Sequence, residues 1–289
     1  MSIALIAEKN INRMSLFRKS LICLLLAFFP LCLYADLPDN LSLSHAERDP
    51  LNRYYTLSQK DAAVYILGSE GVLKSGQGLS LLPLLRSPAG LQIQYPSSVW
   101  VLDRLGRTVI EFDMKLNMLG RIPIPSVIEE PGAFLLLDDG RWIIADHFNE
   151  KIWQLIPGVQ SPASWGSGTD LKIIPHDLQM IRLDSRSRRQ VMLMSVSRSA
   201  LWITDSRGLI LEKYLIPDSI KVENLAGGDD LSIFVSGLSG TWCFSSSDSP
   251  CKIFDYPVLR LWHDQAILKS GKIIPVEFIK SKPEGPGKR

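Results

Sequence analysis

From residue 36 onward, short apolar runs and short polar turns alternate along the chain, with almost no helical periodicity. The apolar runs are rich in Val, Ile, Leu, Trp and Phe, as in Phe134–Leu137 and Val191–Met194. Turn-forming segments such as Asp138–Gly140 and Ser206–Gly208 separate them. Many short strands divided by turn signals predict an all-β protein. Because the runs are continuous rather than alternating, the strands are expected to be buried on both faces.

The strands recur as hairpins of similar form. In the clearest copy, a strand ending in Asp103 is followed by a short turn and a second strand ending just before Asp113. Asp146 takes the place of Asp103 43 residues later, and Asp205 takes the place of Asp113. The copies are residues 98–123, 142–157, 190–217 and 231–255, with weaker versions at 62–74 and 265–279. Six hairpins at such spacing predict a six-bladed β-propeller, since propeller repeats run to about 40 to 50 residues; an irregular β-sandwich is the alternative.

The segment Val99-Trp-Val-Leu-Asp103, followed by Val109-Ile-Glu-Phe-Asp113, resembles the repeat of NHL-type six-bladed propellers. The resemblance covers most of residues 36–279, which form the predicted propeller domain, and is clearest in two or three blades. The family's usual Asn-Arg before the second strand is replaced, for example by Gly106-Arg107. The likeness is therefore at the level of the superfamily. Members range from protein-binding platforms to metal-dependent lactonases and lyases, so the resemblance implies a fold without settling a function.

Composition is that of an ordinary globular chain, with 289 residues, 46% hydrophobic residues, 21% charged residues and a net charge of +2. These values exclude a collagen, a long coiled coil, a polytopic membrane protein and a wholly disordered chain. The net positive charge arises in the first 35 residues, where Lys9, Arg13, Arg18 and Lys19 stand against Glu8 alone. The remainder is close to neutral and carries no broad basic footprint for nucleic acid.

Residues 1–35 are predicted to be a secretory signal peptide, cleaved after Ala35. The apolar run Leu21–Ala35 follows two basic residues and is shorter than the roughly 20 residues that a membrane-spanning helix needs. An uncleaved N-terminal anchor is the alternative, and translation could start at Met14 instead of Met1. With either outcome, the body of the protein is expected in the periplasm or outside the cell.

Cys243 and Cys251 are the cysteines that remain after the predicted signal, because Cys23 and Cys32 lie within it. An even pair in an oxidising compartment predicts a disulfide between neighbouring antiparallel strands. Two buried free thiols are the alternative. A metal site at this pair would need further ligands, and no other His or Cys lies close to it in the sequence.

Recognisable catalytic chemistry is absent from the sequence. No GxSxG, HExxH, P-loop, GxGxxG or EF-hand pattern occurs. The expected innermost strands, 90–94 and 132–138, are among the most apolar stretches, which argues against a charged, metal-lined channel. We therefore predict no catalytic residue, no metal ligand and no cofactor.

Asp103, Asp146 and His147 stand at equivalent turns of adjacent repeats and are candidates for contact with a ligand on one face. An aspartate at a strand end more often caps the turn through backbone N–H groups, and that interpretation is favoured here.

A second set of candidates is an arginine cluster in a polar segment, where guanidinium groups can hold phosphate or carboxylate. Its members are Arg182, Arg186, Arg188 and Arg189. A solvated hairpin loop is the favoured interpretation. The tryptophans are predicted to form the core between blades. They are Trp100, Trp142, Trp153, Trp202 and Trp242.

These observations favour an exported, non-catalytic propeller that acts as a binding or assembly module for an envelope protein or glycan. A metal-dependent hydrolase or lyase of the lactonase-like type is the alternative. We expect a monomer that does not bind nucleic acid and that contacts a membrane only through an uncleaved signal. The polar, Pro- and Gly-rich residues 280–289 are expected to form a disordered tail.

Overall fold

The computed structural model describes residues 41–69, 73–76, 85–149, 151–159, 161–166, 181–187, 190–195, 200–228, 232–245, 250–262 and 264–276. The predicted signal peptide and the predicted tail lie outside these residues. Within them, every secondary-structure element is a β-strand, and no helix long and apolar enough to cross a bilayer is found.

The strands form six sheets, each made of consecutive strands. The first three sheets contain β1 (His45–Arg48), β2 (Tyr54–Ser58), β3 (Ala63–Leu67) and β4 (Leu73–Gly76); β5 (Pro88–Gln94), β6 (Ser98–Asp103), β7 (Thr108–Phe112) and β8 (Met118–Pro123); and β9 (Pro131–Leu136), β10 (Trp142–Asp146), β11 (Lys151–Leu155) and β12 (Ala163–Ser164). The other three contain β13 (Ile181–Ser187), β14 (Gln190–Ser195), β15 (Ala200–Asp205) and β16 (Ile210–Leu215); β17 (Val222–Gly228), β18 (Ser232–Gly237), β19 (Gly240–Ser245) and β20 (Cys251–Phe254); and β21 (Arg260–Leu261), β22 (Gln265–Ile267) and β23 (Ile273–Pro275). We call the four-stranded sheets blades 1 to 5 in chain order, and the three-stranded sheet is sheet 6.

The all-β propeller predicted from the hairpins is confirmed, but the predicted number of blades is corrected. The structure has five four-stranded blades rather than six, because sheet 6 contains only three strands among the described residues. The hairpin β22–β23 repeats the apolar pattern of the other copies, which is why the sequence suggests a sixth full blade.

The strands expected to be buried on both faces lie inside the blades. Every residue of β6 and of β10 is buried, whereas the outermost strand β16 alternates between half-buried and exposed residues. The innermost strands contact one another in the order β1, β5, β9, β13, β17 and β21, and β21 in turn contacts β1. The sheets therefore surround a central channel, as the propeller architecture requires.

The core is divided into six apolar clusters, each of which lies between two successive sheets. All five predicted core tryptophans are buried. Trp100 of blade 2 meets Trp142 of blade 3 edge to face, with ring centroids 5.6 Å apart. Edge-to-face pairs of this kind add about 0.5–1.5 kcal/mol to the burial of the rings. The tryptophans thus hold neighbouring blades together, as predicted.

Among the described residues, no sheet is shared between blade 1 and sheet 6, since β1 occupies the inner edge of blade 1. The backbone N–H of Leu43 donates a hydrogen bond to the carbonyl oxygen of Lys269, at 2.8 Å, and side chains complete the contact. Arg48 donates two hydrogen bonds to Asp264, at 2.5 and 3.0 Å. Tyr54 is fully buried, packs edge to face on Trp262 and donates its hydroxyl to Gln265.

The predicted disulfide is not present. Cys243 and Cys251 lie directly opposite each other on β19 and β20, as expected, but no disulfide joins them. Cys243 is half-buried against the apolar cluster between blade 5 and sheet 6, whereas Cys251 is exposed. The Cys251 thiol points to the carbonyl oxygen of Lys252, at 3.7 Å. The two sulfurs therefore face different surroundings.

Candidate functional site

Buried aspartates fix the turns at one end of the channel. Asp103 ends the second strand of blade 2 and accepts hydrogen bonds from the backbone N–H groups of Arg86 and Ser87, at 3.0 and 2.8 Å. Asp146 does the same in blade 3, accepting from Glu129 and Glu130 at 3.0 Å each. In both blades the carboxylate holds the segment that leads into the innermost strand. These carboxylates face their own backbone rather than the channel.

The hydrogen bonds of Asp146 also set its protonation state. Burial alone would raise the pKa of this carboxyl group, but hydrogen bonds from Asn149, Glu130 and Glu129 outweigh it and lower the pKa below the ordinary value of an aspartate. The carboxylate is therefore ionised whenever the protein is folded near neutral pH.

The residue that follows each aspartate lines the channel. Arg104 follows Asp103 and His147 follows Asp146, and both side chains border the central cavity. Their backbones are held alike, because the N–H of Arg104 donates to the carbonyl oxygen of Ser87 and that of His147 to Glu130, at 2.9 and 2.8 Å. The repeat thus presents different side chains at equivalent positions on one backbone frame.

The innermost strands of blades 2, 3 and 5 each contain a β-bulge near their N-terminal end. The register shifts between Pro88 and Gly90 in β5, at the start of β9, and between Val222 and Asn224 in β17. The residues that bulge are Ala89, Gly132 and Glu223, and all three line the cavity. A bulge re-aims one side chain out of the regular alternation of a strand. These bulges direct three equivalent positions into the channel.

His147 lies where a side chain at Gly132 would be. A Cβ atom on Gly132 would come within 1.7 Å of Cε1 of His147, so only glycine leaves room for the imidazole at this point of the wall. The pairing of a histidine with the bulged glycine of the same blade therefore places the imidazole against the channel.

Gly132→Ala is expected to displace the His147 ring from the wall and to lower the free energy of unfolding by about 1–3 kcal/mol, as overpacking does. Chemical denaturation measures the loss, and the imidazole resonances of His147 report the displacement. Gly120→Ala on β8 is the matched control, because a Cβ there meets no atom within 4 Å. An unchanged His147 spectrum in Gly132→Ala would contradict the crowding.

The central cavity has a volume of about 830 Å³. Its wall is polar, carries more cations than carboxylates, and combines residues from five of the six sheets. The ionisable groups are the cations Lys60, Arg104, Arg260 and Lys269, the carboxylates Glu47 and Glu223, and the imidazoles of His45 and His147. The described part of the wall is therefore charged, which the apolar innermost strands argue against at the level of sequence. The apolar residues of the innermost strands, such as Leu91 and Leu135, pack between blades instead.

The two carboxylates of the wall, Glu47 and Glu223, each form an ion pair with a cation of sheet 6. Glu223 lies 3.3 Å from Lys269, and Glu47 lies 3.7 Å from Arg260. Among the described residues, no group of three or more His, Cys, Asp or Glu side chains is arranged to hold a metal ion. Hard cations prefer converging carboxylate oxygens, which this wall does not offer. The described channel does not fit the metal that lactonase-like propellers carry.

Exposed apolar side chains stand in three of the turns at the end of the propeller where the cavity opens, which we call the mouth. Leu105 follows Arg104, Phe148 follows His147, and Leu238 stands in the corresponding turn of blade 5. Their exposed fractions are 65%, 65% and 72%. Solvent-exposed residues of this size, gathered around one concave opening, are typical of contact surfaces.

Only Arg182 and Arg186 of the predicted arginine cluster lie within the described residues, and Arg182 stands near the N-terminal end of β13. Arg186 lies near the C-terminal end of β13, whereas the mouth is formed at the N-terminal ends of the innermost strands. Arg188 and Arg189 lie outside the described residues. Sequence analysis did not single out Lys60, Lys269 and the other charged residues of the wall, because single positions from separate sheets form no local pattern.

Comparisons with known proteins identify the fold class. No protein-family model matches the chain, and no curated protein matches its sequence. Among solved structures, a streptogramin B lyase is similar in fold, with 9% identity, a TM-score of 0.56, and coverage of 76% of this chain and 71% of that chain. Virginiamycin B lyase from Staphylococcus aureus gives 11% identity, a TM-score of 0.55, and coverage of 76% and 72%.

A catalytically inactive variant of the Staphylococcus aureus enzyme, solved with quinupristin, is similar to the same extent, with 10% identity, a TM-score of 0.55, and coverage of 76% and 72%. At these identities the likeness is one of fold. The β-propeller fold predicted from the sequence is thereby confirmed.

Proposed function

We propose that the protein is an exported, monomeric propeller that acts as a non-catalytic binding module, holding an envelope protein or glycan at the mouth of its channel. The cavity of about 830 Å³ carries this proposal, because binding clefts for ligands usually measure about 300–1,000 Å³. The frame around it is rigid where Asp103 and Asp146 hold the backbone, and it varies at Arg104 and His147. Variable side chains on a fixed frame suit recognition.

The competing proposal is a metal-dependent hydrolase or lyase. The similarity in fold to streptogramin lyases motivates it, although fold alone does not carry an activity. The paired carboxylates of the wall, Glu47 and Glu223, favour the binding module. Elemental analysis of the purified protein separates the two proposals. Stoichiometric calcium, magnesium or zinc that is retained on dialysis would favour the enzyme.

A capture experiment tests whether the mouth is the binding surface. Leu105→Ser/Phe148→Ser is expected to reduce about tenfold the material that the immobilised protein retains from an envelope fraction, because both exposed apolar contacts are removed. Met118→Ser/Leu119→Ser is the matched control, since these residues are exposed on the outermost strand of blade 2. Equal retention by all three proteins would overturn the proposed surface.

Export rests on the pattern of residues 1–35 and makes a separate prediction. The mature protein isolated from the cell envelope or medium is expected to begin at Asp36, because a short apolar run ending at Ala35 suits cleavage there. Intact-mass measurement checks this. A species that retains residues 14–35 would show that the segment is an uncleaved anchor.

A further inference from the structure

The distribution of charge around the cavity is uneven. Sheet 6 supplies Arg260 and Lys269, and each is paired with a carboxylate of a neighbouring blade, at 3.7 and 3.3 Å. The cations of blades 1 and 2 have no carboxylate in the wall as partner. Lys60 makes no ion pair with any described residue, and Arg104 only approaches Glu130, at 3.7 Å. The excess positive charge of the cavity therefore lies on one side.

The pair formed by Arg104 and Glu130 leaves the guanidinium available. The side chains of Arg104 and Glu130 are 40% and 43% exposed, and exposed ion pairs contribute little to the free energy of folding. The guanidinium also donates a long hydrogen bond of 3.4 Å to the hydroxyl of Ser87. Its remaining N–H groups can form the two parallel hydrogen bonds with which arginine holds carboxylate or phosphate.

We propose that an arc of Lys60, Arg104 and His147 at the mouth binds an anionic group, a carboxylate or a phosphate, that is attached to an apolar body. The three residues stand on blades 1, 2 and 3, which follow one another around the channel. This inference rests on the proposed function and names the chemistry that the mouth recognises.

The apolar part of the ligand follows from the rim. Leu105 and Phe148 come directly after Arg104 and His147, and both are 65% exposed. When the anionic group of the ligand binds to the arc, the apolar body attached to it would contact Leu105 and Phe148. The burial of apolar surface would then add to the attraction between charges, which salt screens on its own.

Isothermal titration with 1-naphthyl phosphate, inorganic phosphate and 1-naphthol tests the inference. We expect 1-naphthyl phosphate to bind with a stoichiometry of one, about tenfold more tightly than either part alone, because only the complete probe uses both the arc and the rim. Raising the salt concentration is expected to weaken its binding. Failure of 1-naphthyl phosphate to bind, or equal affinity for 1-naphthol, would overturn the proposal.

Charge variants locate the site. Lys60→Gln/Arg104→Gln is expected to weaken binding of 1-naphthyl phosphate at least tenfold and to leave 1-naphthol unaffected. Lys115→Gln is the matched control, because Lys115 is exposed in the β7–β8 turn, at the end of blade 2 opposite the mouth. Its affinity for 1-naphthyl phosphate is expected within twofold of the wild type. An equal loss in Lys115→Gln would show a non-specific effect of net charge.

The outcomes separate this inference from the proposed function. If the probe does not bind but capture still depends on Leu105 and Phe148, the anionic chemistry is wrong and the binding surface stands. If capture is also unaffected by those substitutions, both proposals fall.

Discussion

Asp146→Ala is expected to lower the free energy of unfolding by about 3–4 kcal/mol. The carboxylate is fully buried and accepts hydrogen bonds from the backbone N–H groups of Glu129, Glu130 and Phe148, and from the Asn149 side chain at 2.8 Å. Alanine leaves these donors without an acceptor away from water, which costs about 1–3 kcal/mol for each group that water does not reach. Urea denaturation measures the loss.

Asp113→Ala is the matched control for this prediction. Asp113 accepts hydrogen bonds of 2.8 Å from the backbone N–H groups of Lys115 and Asn117 and from the Asn117 side chain, but on an exposed turn. Water can replace the missing carboxylate there, so the expected loss is below about 1 kcal/mol. Equal losses in the two variants would show that burial of Asp146 is not the cause.

Because the pKa of Asp146 is lowered in the folded state, the free energy of unfolding depends on pH in the acid range. A carboxyl group with a pKa lower in the folded than in the unfolded state contributes stability above its unfolded pKa, about 3.9, and loses that contribution as the pH falls through the folded value. Stability should therefore decline below about pH 4. In Asp146→Ala this part of the decline is expected to be absent.

Tyr54→Ala is expected to lower the free energy of unfolding by about 3–5 kcal/mol and the melting temperature by about 10 °C or more. The ring is fully buried, packs on Trp262 at a centroid distance of 5.3 Å and lies under the guanidinium of Arg48. Its loss leaves a cavity at the contact that closes the ring. Calorimetry measures the shift.

Hydrogen exchange distinguishes ring opening from general destabilisation. In Tyr54→Ala the amides of β1, β22 and β23 are expected to lose protection first, because these strands meet at the closing contact. Phe112→Ala, which removes a buried ring between blades 1 and 2, is the control and should not expose β22 and β23 selectively. Tyr54→Phe keeps the ring, loses only the hydrogen bond to Gln265, and is expected to cost about 1 kcal/mol.

The hairpins and the role of the aspartates could be predicted from the sequence because both are local. A strand such as β6 is apolar at nearly every position, and its burial in the structure is complete. The repeat of Asp103 at Asp146 is visible at a fixed spacing. In the structure the two carboxylates bond the equivalent backbone groups, 16 and 17 residues earlier in the chain.

Ring closure and the chemistry of the channel could not be predicted in this way. Strand β1 has the polar sequence His45–Arg48, and it is a strand because it pairs with β2, not because of its own pattern. That strand occupies the inner edge of blade 1, and β23 pairs with β22 in a separate sheet. The channel combines side chains from separate sheets, and the bulge that directs Glu223 into it breaks the alternation from which orientation is inferred.

The bulged positions Ala89, Gly132 and Glu223 separate the side chains that line the channel from the pairing of the strands that carry them. A bulged residue stands outside the ladder of paired residues, so a substitution there leaves the register of every other residue in the strand unchanged. At these equivalent backbone positions, Ala89 carries a methyl group, Gly132 carries no side chain and Glu223 carries a carboxylate. A substitution at Glu223 can therefore change the chemistry of the mouth without shifting the strand register, whereas one at Gly132 must be matched at His147, whose ring fills the space of a Cβ there.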